Sequence, residues 1–170
     1  MRIISTGILA LTLVVGPRLC AQTAGVDEIL KRVAEFHGNA GVFAVAGYRM
    51  GEAALHELGK ARGSFDLDVT HRTPLKVQYS CVADGWQAAT GVSAGKLSLH
   101  IVEAPITQFE TVVKDRKSGK QLVFRIRPEF LKRYLDLPYN QQAAAAREVA
   151  SMPAEKIFTI QPAAVQDPVR

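Results

Sequence analysis

The chain has 170 residues, of which 48% are hydrophobic and 22% charged, with a formal net charge of +5. That length suits one ordinary domain with a sizeable core. The charge is only mildly basic, and its densest run, Lys114-Asp115-Arg116-Lys117-Ser118-Gly119-Lys120, reads as a solvated hairpin tip, so a nucleic-acid partner is set aside.

The chain opens with Arg2 and an apolar run over residues 3–15, relieved by Ser5, Thr6 and Thr12, then Gly16, Pro17 and Leu19-Cys20-Ala21 before Gln22. The run is short for a bilayer span and ends in a break followed by small residues, the pattern of a secretory signal peptide over 1–21. We expect cleavage after Ala21, an exported (periplasmic or secreted) product, and no stable membrane anchor afterwards. Lipid attachment at Cys20 would need small residues where Arg18 and Leu19 stand. Loss of Arg2 and Arg18 lowers the formal charge from +5 to +3, and loss of Cys20 leaves Cys81 as the sole thiol. No internal disulfide is then available.

Residues 22–161 read as a single domain and 162–170 as a flexible tail. Val26, Ile29, Leu30, Val33 and Phe36 fall at helical spacing, opposite Asp27, Glu28, Lys31, Arg32 and Glu35. Residues 41–58, rich in Ala and small residues and closed by Gly59, predict a second, tightly packed helix, with Gly47 and Gly51 as close-contact points. His37-Gly38-Asn39 forms the turn between the two. Leu75, Val77, Tyr79 and Cys81 alternate with Lys76, Gln78 and Ser80, which predicts a strand with Cys81 pointing inward. The period then changes, and 82–90 predict a short helix ended by Gly91. Leu97, Leu99 and Ile101 predict a strand with His100 on its other side. Residues 109–113 and 121–127 predict a hairpin around Ser118-Gly119. Pro128 opens a short helix to Leu135, 141–151 an Ala-rich one, and 156–161 a last strand. This order argues for an α+β fold with a largely antiparallel sheet.

The segment Cys81-Val82-Ala83-Asp84-Gly85-Trp86-Gln87 thus places a thiol at a helix start, with Asp84 three residues on and on the same face. A helix N-terminus lowers a thiol pKa and favours a nucleophile or a ligand. Burial as a small apolar residue, a metal bond, a reactive thiol and an intermolecular bridge all remain open for Cys81. His37, at a helix junction, is equally suited to capping carbonyls or binding a metal. His56, His71 and His100 form no recognised ligand spacing.

The sequence resembles the core domain of the FmdE family, named for a component of formylmethanofuran dehydrogenase, from about Val26 to Leu135. The matching pieces are Phe36-His37-Gly38, Gly47-Tyr48-Arg49-Met50, 81–91 and Gly95-Lys96-Leu97-Ser98-Leu99. The resemblance implies an α+β domain, commonly a homodimer, with a cleft where histidines and cysteines cluster and a divalent metal such as zinc is expected. In this chain that points to His37, Cys81 and Asp84 as metal donors and to Asn39, Arg49, Gln87, Thr90, Ser93 and Lys96 as further cleft contacts. Asn39 stands where the family has a second histidine and Gly41 where it has a cysteine, and Thr90-Gly91-Val92-Ser93 replaces Thr-Gly-Cys-Thr. Three functions follow as expectations. One is a metal- or small-ligand-binding domain with His37 and Cys81 at its site; another is an enzyme with Cys81 thiolate as nucleophile and His37 as base. The third is a partner-binding scaffold without the family site.

Overall fold

A computed structural model describes residues 25–163. The expected signal peptide, Cys20 and nearly all of the expected tail lie outside the described residues. Helices α1 (Val26–His37) and α2 (Val42–Leu58) are followed by strand β1 (Leu67–Thr73), helix α3 (Val77–Thr90) and strand β2 (Leu99–Glu103). The hairpin β3 (Glu110–Asp115) and β4 (Gln121–Ile126) leads to α4 (Pro128–Tyr134), α5 (Gln142–Ser151), a single turn α6 (Ala154–Ile157) and β5 (Phe158–Pro162). The five strands run in the order β2-β1-β3-β4-β5, antiparallel except for the parallel pair β1–β2, whose crossover is α3. The fold is therefore α+β with a largely antiparallel sheet.

Helix α2 is the centre of the helical layer, with Val42 to Tyr48, Met50, Gly51 and Ala54 all buried. It packs on α3 through positions that admit no side chain. A Cβ at Gly85 would fall inside the van der Waals shell of the Ala44 carbonyl oxygen, and one at Gly47 inside that of the Val82 carbonyl. Such backbone approach between helices needs small residues at the crossing. Trp86 stacks edge-on against Phe124 at 5.1 Å, joining α3 to the sheet.

The alternation over 75–81 does not form a strand. Leu75 and Val77 are 64% and 75% exposed, and α3 starts at Val77, burying Tyr79, Val82, Ala83 and Trp86 at helical spacing instead. Cys81 therefore sits in the second turn of a helix rather than at a strand-to-helix junction. The strand that precedes α3 is β1, whose inward row is Leu67, Val69, His71 and Thr73. Half of that row is polar, so its hydrophobic signal is weak.

Within that row His71 is 1% exposed; its Nε2–H donates to the Tyr79 carbonyl at 3.1 Å and its Nδ1 accepts from the Thr111 hydroxyl at 2.8 Å. Burial lowers its pKa from 6.5 to about 4. The native protein thus refuses a proton that the unfolded chain takes up near pH 6.5, so stability is full above 6.5 and falls as pH drops towards 4. Unfolding free energy should decline by roughly 3 kcal/mol across that window. Urea titrations at pH 7 and pH 4.5 check it, and an unchanged midpoint contradicts it.

Candidate functional site

A cleft of about 730 Å³ opens where the C-terminal end of α1, the N-terminal ends of α2 and α3, and the start of α5 meet. His37, Asn39 and Gly41 form one wall, Val77, Gln78 and Cys81 another, and Tyr139, Asn140 and Arg147 the rim. Gly38, at φ +88, ends α1 in the left-handed conformation that glycine adopts without strain, and this turn puts His37 beside the start of α2.

His37 is held from below. Its Nδ1 lies 2.7 Å from Asp84 Oδ2, a contact between the end of α1 and the middle of α3. The carboxylate can only accept, so Nδ1 carries the hydrogen and Nε2 is the free ring atom. Nε2 has no hydrogen-bond partner among the described residues. It and Asn39 Oδ1 stand 3.9 and 3.8 Å from where a Cβ on Gly41 would be, so both face the start of α2. An imidazole in this arrangement donates when protonated, with Asp84 balancing its charge, and accepts when neutral.

The helix ends around it are left positive. Neither α2 nor α3 has a side-chain cap or an acidic residue in its first turn, whereas α1, α4 and α6 each carry an acid there. The first backbone N–H groups of α2 and α3 have no partner within their helices and carry partial positive charge. Val42, Phe43, Val77 and Gln78 bring those ends to the cleft.

Cys81 lines the same cleft, but its thiol is not activated. Burial, and next the negative charge of Asp84, push its pKa up. This reverses the lowering expected of a thiol at a helix start, because Cys81 lies one turn further in, beside an acid. Iodoacetamide should alkylate Cys81 at pH 7.5 about tenfold or more slowly than a free cysteine peptide. Asp84→Asn should speed the reaction. Alkylation as fast as the peptide contradicts this assignment.

The other residues expected at the cleft lie elsewhere. Arg49 donates to the carbonyls of Ala150 at 2.6 Å, Met152 at 3.0 Å and Val149 at 3.3 Å, closing the C-terminal end of α5. Thr90 donates to the Trp86 carbonyl at 2.7 Å, and Lys96 to that of Gly91 at 2.8 Å. The Ser93 hydroxyl accepts from the Lys96 backbone at 3.2 Å. Gln87, Thr90, Ser93 and Lys96 belong to the far end of α3 and the turn after it, and at 1.5 Å per residue Thr90 is about 20 Å from Val77. Conversely, Gln78, Tyr139, Asn140 and Arg147 line the cleft without a sequence signal of their own. The single hint was the Pro138-Tyr139-Asn140 turn with an aromatic side chain, which is 84% exposed.

For a metal, the donor set within one chain is short. Among the described residues no group of three or more His, Cys, Asp and Glu side chains gathers. Asp84 serves the far nitrogen of His37, leaving His37 Nε2 and Cys81 Sγ where zinc takes three or four protein donors. A zinc ion here would need water, a bound ligand or a second copy to complete its sphere.

A family model described as FmdE, molybdenum formylmethanofuran dehydrogenase operon, matches residues 36–159. Among solved structures, the chain is similar to a tungsten formylmethanofuran dehydrogenase FmdE-like protein from Syntrophus aciditrophicus. The TM-score is 0.55 at 16% identity, covering 83% of this chain and 73% of that one. At that identity the likeness is one of fold. No curated protein matches the chain.

Proposed function

The chain belongs to the FmdE family, and from that premise we propose that its cleft binds a small organic molecule with an apolar body and an anionic or carbonyl head. The observation that carries this reading is the Asp84–His37 contact of 2.7 Å, which fixes the ring so that Nε2 is the atom left for a ligand. The head group lies against Asn39 and the first amides of α2, and Nε2 donates to it when His37 is protonated and Asp84 balances that charge. The body lies on Leu30, Phe43, Val77, Leu137 and Tyr139. Polar anchors within a mostly apolar wall are the usual composition of a small-molecule site.

A second reading has one observation in its favour. A carboxylate on the far nitrogen is the arrangement that orients metal-binding histidines, so His37 Nε2 and Cys81 Sγ are the residues that would hold a divalent ion such as zinc. When bound, zinc would supply a Lewis acid for an oxygen of the ligand. The cysteine-nucleophile reading has weaker support, since the Cys81 thiol is pushed towards its protonated form.

Calorimetric titration with phenylacetate, hexanoate, inorganic phosphate and zinc chloride separates these readings. The small-molecule reading expects saturable binding of the two carboxylates, weaker binding of phosphate, and loss in His37→Ala. Stoichiometric zinc uptake that Cys81→Ser abolishes would transfer the site to the second reading. Absence of a saturable response to any of the four contradicts both.

A further inference from the structure

We propose that the end of the molecule opposite the cleft docks on an anionic phospholipid surface, with Phe65 and Leu97 entering the headgroup layer. Three segments meet there, 60–66, 91–98 and the hairpin tip 114–120. They are stitched together by Arg116, whose backbone N–H donates to the Asp66 carbonyl at 2.7 Å and whose Nη2 donates to the Leu97 carbonyl at 2.9 Å. Lys96 closes the group, its ammonium 5.0 Å from the centre of the Phe65 ring.

Charge is concentrated at this end. Of the chain's 21 Lys and Arg, these segments hold seven (Lys60, Arg62, Lys96, Lys114, Arg116, Lys117 and Lys120), and of its 16 Asp and Glu only Asp66 and Asp115. A third acid, Asp68, borders these segments and pairs with Arg116 at 3.1 Å, so this end carries seven bases against three acids, a formal +4. Asp66 and Asp115 are both engaged by one cation, Lys60, at 2.7 and 2.9 Å. Arg62, Lys96 and Lys120 donate to backbone carbonyls, at 3.1, 2.8 and 2.9 Å, and none of them pairs with a carboxylate among the described residues.

Two large apolar side chains stand among these cations, Phe65 at 73% and Leu97 at 74% exposure. Leu97 is the one non-glycine residue among those described with positive φ, at +51. A leucine in the left-handed region is strained, and its side chain gains nothing from the fold when it is in water. Two largely exposed apolar side chains among cations suit a surface with anionic heads above an apolar interior better than an acidic peptide, which would engage the cations alone. Interfacial binding of this kind adds buried apolar area to attraction by anionic lipid.

Vesicle sedimentation at low salt tests it, with phosphatidylcholine alone and with phosphatidylcholine and phosphatidylglycerol at about 3:1. The protein should sediment with the anionic vesicles and stay free with the neutral ones. The Phe65→Ser/Leu97→Asn variant should bind the anionic vesicles about tenfold more weakly. Leu97→Asn alone should also weaken binding while its melting temperature is unchanged or raised, since Asn tolerates positive φ, so lost binding is not lost folding. No sedimentation with anionic vesicles overturns the proposal. So does full binding by the double variant, which would leave charge alone, or binding to polyglutamate without binding to vesicles.

Discussion

Gly85→Ala should cost about 3 kcal/mol or more and leave little folded protein at 37 °C, a large share of the 5–15 kcal/mol that holds a domain. The added methyl would meet the Ala44 carbonyl oxygen, the Tyr48 nitrogen at 2.5 Å and the Gly47 carbonyl carbon at 2.8 Å. All three are backbone atoms of a buried helix, so no side chain can swing away to make room. The only relief is separation of α2 from α3, which would open the packing under Val82 and Trp86. Gly95→Ala is the internal control. Nothing lies within 4 Å of its added Cβ, so its effect should stay within about 0.5 kcal/mol. Urea unfolding of the two variants checks the contrast; equal midpoints would mean that α2 and α3 are not in backbone contact.

Loss of His37 should abolish ligand binding without loss of the fold. The His37 side chain is 19% exposed at the end of α1; Ala there removes one hydrogen bond to a carboxylate that is itself 42% exposed and stays solvated, so the melting temperature should move by only a few degrees. Affinity for the best carboxylate should fall about 10- to 100-fold, the range of a hydrogen bond to a charged group. Asp84→Asn tests the orientation separately. It keeps the shape of the contact but allows the ring to take its other tautomer, so affinity should fall about tenfold with His37 still present. The same variant removes the negative charge that holds up the Cys81 pKa, so faster alkylation of Cys81 should accompany weaker binding. Weaker binding without faster alkylation would point to a rearranged α3 rather than a lost orienting charge.

Much of the architecture can be read in the residues because it rests on local rules. Gly38 and Gly59 end α1 and α2 in left-handed conformations, Pro128 begins α4, and Ser118-Gly119 turns the hairpin. The spacing of Gly47 and Gly51 indicates tight helix contact, and a Cβ on Gly51 would lie 2.7 Å from that of Ala89. The misread stretch is 67–81. There the buried strand carries His71 and Thr73 on its inner row while exposed Leu75 and Val77 imitate a strand pattern. Periodicity counts apolar residues and is blind to whether they are covered.

The cleft shows the same division. His37 and Cys81 are visible as chemically distinctive side chains, and Asn39 as their neighbour. Their placement with Tyr139, Asn140 and Arg147 comes from α5 docking across α1 and α2, a contact over about a hundred residues of chain that no local pattern encodes. The length of α3 separates Gln87, Thr90, Ser93 and Lys96 from the cleft; the resemblance that suggests them gives the order of motifs and not their distances. Arg49 misleads for another reason. A partly buried cation invites a ligand, but three carbonyls at the end of α5 already satisfy it.

The most direct measurement is an amide chemical-shift map of the protein titrated with the carboxylate that binds it best. Ligand-binding at an Asp84-oriented His37 predicts saturable shifts gathered at Asn39, Gly41, Val42, Phe43, Val77 and Gln78, which vanish in His37→Ala. Shifts gathered elsewhere, or a map that His37→Ala leaves unchanged, would contradict it.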